Sequence, residues 1–265
     1  MSLSDPFDIA KFVRYSDDEF EDFSITGIDK LIRHESLYTH GCLRISAEIT
    51  PTLSNNLNIV CKRLKVPINM VKAFVLSRPD INAHCIHFEK KGCIIALNSE
   101  LINLMSDGEI QFTMGHEIGH FLMNHNYFDD DPKITEQEST ASRAGEISSD
   151  RIGLLACKDV DVAIKAMIRF QSGLSDSFLR FDTGAFLSET KNETMIRSQL
   201  DRATHPSARI RADALLRFSL SKPYQLLIND EKTGTKLEDV DKHIKKELDT
   251  YFDLREKSFF ESLFD

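Results

Sequence analysis

The sequence predicts an α+β chain that is mainly helical, with one small antiparallel sheet beside a central helix. Three observations carry that expectation. Apolar residues recur at helical spacing over residues 107–125, 160–171, 207–218 and 237–264. Residues 71–97 instead read as three short strands, 71–76, 81–88 and 93–97, with the turn signal Lys90-Lys91-Gly92 before the last. At 265 residues and 41% hydrophobic content, the chain is long enough to bury one substantial core.

Each element has a local reason. The first forty residues are acidic and aromatic, most densely over 17–23, and residues 1–44 are expected to pack on the core as an N-terminal segment. Thr50-Pro51 pairs an N-cap with a first-turn proline, opening a helix to about residue 64. Ser106 and Glu109 have capping-box spacing, so a helix starts at Asp107. Ile110, Met114, Ile118, Phe121 and Leu122 form its apolar stripe, and Asn124 and His125 end it. Residues 144–155 read as a second helix with Ile147, Leu154 and Leu155 on one side. Residues 174–200, with Phe178, Phe181 and Phe186 among polar neighbours, fit either a cover over a cleft or a packed irregular helix pair.

Toward the C-terminus, residues 207–218 continue from Pro206 as a helix, and 223–235 carry turn signals such as Thr233-Gly234-Thr235. Residues 237–264 form a charged amphipathic helix or two, offering Val240, Ile244, Leu248, Phe252, Phe259, Phe260 and Leu263 for burial against the core, a second copy or a partner. The expected organisation is therefore an N-terminal segment 1–44, a main domain 45–222 and a helical tail 223–265.

Composition narrows the partners. A net charge of −9 argues against nucleic acid and anionic membranes. No apolar run approaches the roughly twenty residues that cross a bilayer. The start, Met1-Ser2-Leu3-Ser4-Asp5-Pro6, has neither a basic n-region nor an apolar h-region, so a cytoplasmic chain is expected. Five cysteines lie scattered without C-x-x-C pairs and read as buried thiols of a reducing compartment. Cys85 and Cys93 flank the turn and could face one another, with no disulfide inferred.

The chemistry lies in His116-Glu117-Ile118-Gly119-His120. At i and i+4 on one helix face, two imidazoles can hold one metal ion. Glu117 lies between them, where a carboxylate can take a proton from a water that the metal polarises and pass it to a leaving amine. Such a set suits amide hydrolysis. The plain alternative, two histidines on an ordinary helix, is weakened by the mid-helix position among apolar residues.

A catalytic zinc needs a third protein ligand. His125 lies about 140° round the helix from His120 and is expected to face elsewhere. It also misses the metzincin pattern, because Met123 and Asn126 stand where that pattern has glycine and histidine. Glu146 and Asp150, four apart on the second helix, share a face. One of them could bind zinc while the other accepts an N–H from a ligand histidine. His84 and His87 fit no ligand spacing and read as solvated or core histidines.

An HExxH helix followed by a glutamate helix with E-x-x-x-D resembles the gluzincin peptidases, with a zincin-like domain. Thr204-His205-Pro206-Ser207, Arg211 beyond it, Asn82-Ala83 before the hairpin, and the lead-in from Asn98-Ser99-Glu100-Leu101 to Asp107-Gly108-Glu109-Ile110 are similar to one branch, zinc metallopeptidase family forty-eight, which holds the CAAX prenyl proteases and HtpX-like heat-shock proteases. The resemblance covers residues 45–220. It implies one zinc per chain on His116, His120 and Glu146, with Glu117 as general base and acid and Asp150 orienting His116. It further implies that His205 stabilises the oxyanion, Arg211 supports the acidic side of the site, with Arg209 the nearby alternative, and Asn82-Ala83 borders an exposed strand edge for substrate. Most proteins of that branch are integral membrane proteins. Without such spans this chain is expected to be a soluble member, and a prenylated substrate is not indicated.

The expectation is thus a zinc-dependent metalloendopeptidase acting on polypeptides, because a cleft along a sheet edge is open at both ends. Two alternatives accompany it. The ImmA/IrrE-like regulatory zinc peptidases resemble the stretch Phe112-Thr113-Met114-Gly115-His116-Glu117, but the 204–206 and 146–153 segments suit that group less well. A zinc-stabilised, autoinhibited binding module would have no need of Glu117.

Overall fold

Helices dominate the structure, a computed structural model that describes residues 4–18, 28–87, 90–125, 136–189 and 206–262. The first are α1 (Pro6–Val13), capped by Asp5, and α2 (Ile28–Gly41). A short strand β1 (Leu43–Arg44) leads to α3 (Pro51–Leu64), where Pro51 occupies the first turn as its missing N–H allows. Strands β2 (Val71–Leu76), β3 (Ala83–His87) and β4 (Cys93–Asn98) follow, then α4 (Ser99–Leu104).

The sheet is mixed, not wholly antiparallel as the sequence suggested. Its order is β1-β2-β4-β3, with β2 parallel to β4 and the other two pairings antiparallel. The chain leaves β2, skips one position to form β3, and returns through the hairpin to lay β4 in the gap. The reason is legible in β4 itself, since every one of its residues is buried. A continuous apolar run such as Cys93-Ile94-Ile95-Ala96-Leu97 suits a central strand covered on both faces. Alternation then sorts the layers: Ala83, Cys85, Cys93, Ile95 and Leu97 join the main core, while Phe74 and Ile94 pack with Tyr38, Leu76 and Ile86 beneath α2.

The main core lies between the sheet and two long helices, α5 (Asp107–Met123) and α6 (Glu136–Cys157). The α5 start is a capping box, in which Glu109 Oε2 accepts from the Ser106 N–H at 2.8 Å and the Ser106 hydroxyl at 2.6 Å. Arg169, on α7 (Val160–Ser172), donates to the same oxygen at 3.2 Å and to Leu104 O at 2.5 Å, fixing the helix entry. At the other end Asn124 takes the left-handed conformation, φ 55°, and stops the helix.

Beyond α7 come α8 (Thr183–Glu189), α9 (Ala208–Ser219), α10 (Lys222–Asn229) and α11 (Leu237–Ser262). The stretch 223–235, which carries turn signals, begins with the helix α10. Ser221 caps it by accepting from the Tyr224 N–H, and Pro223 sits in its first turn, so the proline initiates a helix there. Val240 and Ile244 of α11 are buried with Tyr15, Ala144, Ile147 and Ala214, which docks the start of the tail on α6 and α9. Residues 126–135, 190–200, His205 and Leu263 lie outside the described residues, as do the side chains of Phe252, Phe259 and Phe260.

Candidate metal centre

The close approach of α5 and α6 builds the site. Small residues face each other along the contact, and a Cβ added at Gly119 would lie 2.9 Å from Ser149 Cα. One added at Gly153 would meet the Phe112 ring at 2.8 Å. Both are closer than real Cβ atoms come, so only glycine allows the helices this spacing. It brings Glu146 opposite His116 and His120, one turn apart on α5.

These three are the one group of potential metal ligands found among the described residues, with donor atoms within 4.8 Å of one another. His116 Nε2 and His120 Nε2 are 3.0 Å apart. Glu146 Oε2 is 3.5 Å from the first and its Oε1 3.4 Å from the second. Ligand atoms around a tetrahedral zinc lie about 3.3–3.6 Å apart; the two edges to Glu146 match that spacing, and the edge between the histidines is shorter. Two imidazole nitrogens and a carboxylate converging in a buried place also call for a cation among them. Glu117 is 4% exposed, adjacent to His116 in sequence.

A carboxylate anchors the far side of His116. Asp150 Oδ1 stands 3.0 Å from His116 Nδ1, which leaves Nε2 turned inward. Arg211, from α9, donates to Asp150 Oδ2 through Nε at 2.7 Å and to Oδ1 through Nη2 at 2.6 Å, and its Nη2 is 3.3 Å from Glu146 Oε2. Arg209 instead pairs with Glu247 of α11 at 2.7 Å, away from the site.

The charges follow this arrangement. Burial alone would raise Asp150, but Arg211 and then His116 hold it below the usual carboxylate range. Burial opposes charge on His116, yet Glu146 and Asp150 outweigh it and raise its pKa. For His120 burial wins over Glu146, and its pKa falls to about 3, so the ring is neutral and able to ligate. Burial likewise opposes the Arg211 charge, and Asp150 followed by Glu146 and Glu117 more than restores it.

Two contacts were not foreseen. His125 does not face away: its Nδ1 lies 3.0 Å from His120 Nδ1, and its Nε2 lies 3.0 Å from Asp18 Oδ2. The helical wheel misplaced it because α5 ends at Met123, and the left-handed Asn124 folds His125 back beneath His120. Its position after the helix stop was the only available signal; for Asp18 there was none. His87 Nε2 donates to His125 O, 2.8 Å away, and His84 Nε2 meets the Tyr38 hydroxyl at 2.5 Å, so neither is a ligand.

At the sheet, Asn82 precedes the edge strand β3. Its carbonyl accepts from the Asn98 N–H at 3.0 Å, and its Oδ1 accepts from the Ala83 N–H at 2.9 Å. His205 lies outside the described residues. All five cysteines are free thiols. No described helix is long and apolar enough to cross a membrane.

The chain is 22% identical over 184 residues to the plastoglobule-localized metallopeptidase 48, chloroplastic, of Arabidopsis thaliana, an alignment covering 58% of this chain and 54% of the relative. The chain thus spans about half the length of that curated relative. No solved structure matches it. The model of peptidase family M48, a family of zinc-dependent peptidases, matches residues 50–131, which include His116, Glu117 and His120. Residues 50–131 of this chain are thus similar to peptidase family M48.

Proposed function

We propose that this chain is a zinc-dependent metalloendopeptidase that hydrolyses peptide bonds in polypeptide substrates. The observation that carries the reading is the convergence of His116 Nε2, His120 Nε2 and the Glu146 carboxylate, with Glu117 buried alongside. When bound there, zinc supplies Lewis acidity, lowering the pKa of water and polarising a carbonyl.

The protein's own residues supply the rest. Glu117 takes a proton from the attacking water as its oxygen bonds the scissile carbon, and returns that proton to the nitrogen as the C–N bond breaks. Asp150 holds the His116 ring through Nδ1, and Arg211 holds Asp150 and Glu146 together. His205 is assigned to the oxyanion by motif alone. For substrate, β3 is an edge strand, entered through Asn82 and Ala83, that would accept an extended peptide by backbone pairing. The Ala83 N–H is already held by Asn82 Oδ1, so the binding edge begins beyond it.

The test is cleavage of unfolded casein by the natural sequence and by Glu117→Gln at matched zinc content. Cleavage by the first, reduced at least about a hundredfold in the second, is the expected result. Full zinc occupancy with no cleavage by either protein would instead favour a metal-stabilised binding domain.

A further inference from the structure

The two candidate ligand histidines are anchored differently. His116 meets a carboxylate directly, at Asp150. His120 reaches one only through a second imidazole, that of His125, and the carboxylate beyond it belongs to the N-terminal segment. We propose that Asp18 and His125 are positioning residues of the metal centre, a relay that fixes the His120 ring and makes the N-terminal segment a working part of the site. The proposal rests on the zinc reading given above.

The proton arrangement is set from the metal side. With Nε2 of His120 committed to the ion, its Nδ1 carries the proton and donates to His125 Nδ1. His125 must then carry its own proton on Nε2, which faces Asp18 Oδ2 at 3.0 Å and Oδ1 at 3.2 Å. Every ring nitrogen in the relay thus has one defined role. The Ser149 hydroxyl, 3.3 Å from His125 Nδ1, is the longer contact.

His125 has a built seat. Its N–H donates to His120 O at 3.0 Å, and its carbonyl meets His87 Nε2 at 2.8 Å. The ring lies over Gly145, where an added Cβ would come within 3.2–3.3 Å of three ring atoms. Glycine next to the ligand Glu146 therefore leaves the space that His125 occupies. The His120 and His125 rings meet edge to face, centroids 5.1 Å apart.

Asp18 is equally fixed. It is 3% exposed, which is costly for a carboxylate that only tethers a terminus. Its approach is clamped from two helices. Ser148 Oγ of α6 accepts from the Tyr15 N–H at 3.0 Å, and Asp241 Oδ2 of α11 accepts from the Ser16 N–H at 3.1 Å. Arg151 of α6 donates to Val13 O at 3.0 Å and pairs with Asp241 at 2.5 Å. The segment is thus braced against the very helix that carries Glu146. Orientation of a ligand imidazole by such an outer partner is generally worth about ten- to a hundredfold in metal affinity.

The experiment measures zinc affinity by chelator competition, and the visible spectrum of the cobalt-substituted protein, for the full chain. The variants are Asp18→Asn, His125→Gln, the double variant, and Lys245→Ala, which loosens the surface pair between Asp17 and Lys245 without touching the relay. Asp18→Asn and His125→Gln should each weaken zinc at least about tenfold and shift the cobalt bands. Their effects should not add, because both act through one ring. Lys245→Ala should leave affinity and spectrum unchanged. Should Asp18→Asn fail to fold, His125→Gln carries the same test from the other end of the contact. Zinc affinity within twofold of the natural sequence in the relay variants, even with lowered melting temperature, would reduce Asp18 to a structural tether and overturn the proposal. A natural chain that binds no zinc would overturn the zinc reading itself, and the relay with it.

Discussion

Arg211 grips both oxygens of Asp150, at 2.7 and 2.6 Å, while the same carboxylate receives His116 Nδ1 at 3.0 Å. The arginine therefore acts on the candidate ligand at one remove, by setting where its anchor can sit. Arg211→Met leaves a buried carboxylate without its cation and should destabilise the metal-free protein by about 3 kcal/mol, read by urea unfolding. Arg211→Lys keeps the charge and loses the fork, so most stability should return while zinc affinity stays low.

The same pair sets a pH dependence. Asp150 is held below its usual pKa, so its contribution is present above the unfolded value of 3.8 and is lost as pH falls through the lower folded value. The stability gap between the natural protein and Arg211→Met should be widest near neutrality and close in acid. A gap that grows as pH falls below 4 would contradict the assignment.

Gly119→Ala tests the helix contact. Its methyl would meet Ser149 Cα at 2.9 Å, and backbone cannot step aside as a flexible side chain does. Overpacking should cost about 1–3 kcal/mol and move Glu146 away from the histidines, weakening zinc binding. Gly41→Ala, with nothing within 4 Å of the added carbon, is the matched control and should leave zinc affinity unchanged.

On the proposed reading, removal of zinc should abolish peptide cleavage without unfolding the chain. The ligands stand on α5 and α6, whose apolar residues Met114, Ile118, Ile152 and Leu154 are buried in the core independently of any ion. After chelation the helical circular dichroism should persist, with a lower melting temperature that recovers on adding zinc. Collapse of the helical signal would mark the site as structural.

Arg151 and Asp241 join α6 to α11 at 2.5 Å, with Arg151 1% exposed between Tyr15 and Phe218. Asp241→Asn should cost about 3–5 kcal/mol by stranding the guanidinium, measured by chemical unfolding. Replacing both residues with apolar ones of similar volume should recover much of that loss. A single variant of unchanged stability would show the helix start to be dispensable.

Local patterns told most where they acted locally. Ser106 and Glu109 announced the start of α5, Thr50-Pro51 announced α3, and the four-residue spacings placed His116 with His120 and Glu146 with Asp150 on shared faces. The mainly helical α+β class was legible for the same reason. What the sequence withheld was long-range or followed a break in periodicity. Strand order depends on which strand inserts where, and no spacing encodes that β4 lies between β2 and β3. Helical phase stops applying at Asn124, which hid His125, and Asp18 lies far along the chain from its partner.

The placement of β4 also orders events in time. One of the two interior strands, β4, is the last of the four to be synthesised, so the strand that β2 and β3 share as a neighbour follows both of them. That strand runs directly into α4 and then α5. The HExxH helix thus follows the sheet's last strand closely along the chain, and every residue of the sheet against which it packs is synthesised before the first of its candidate metal ligands.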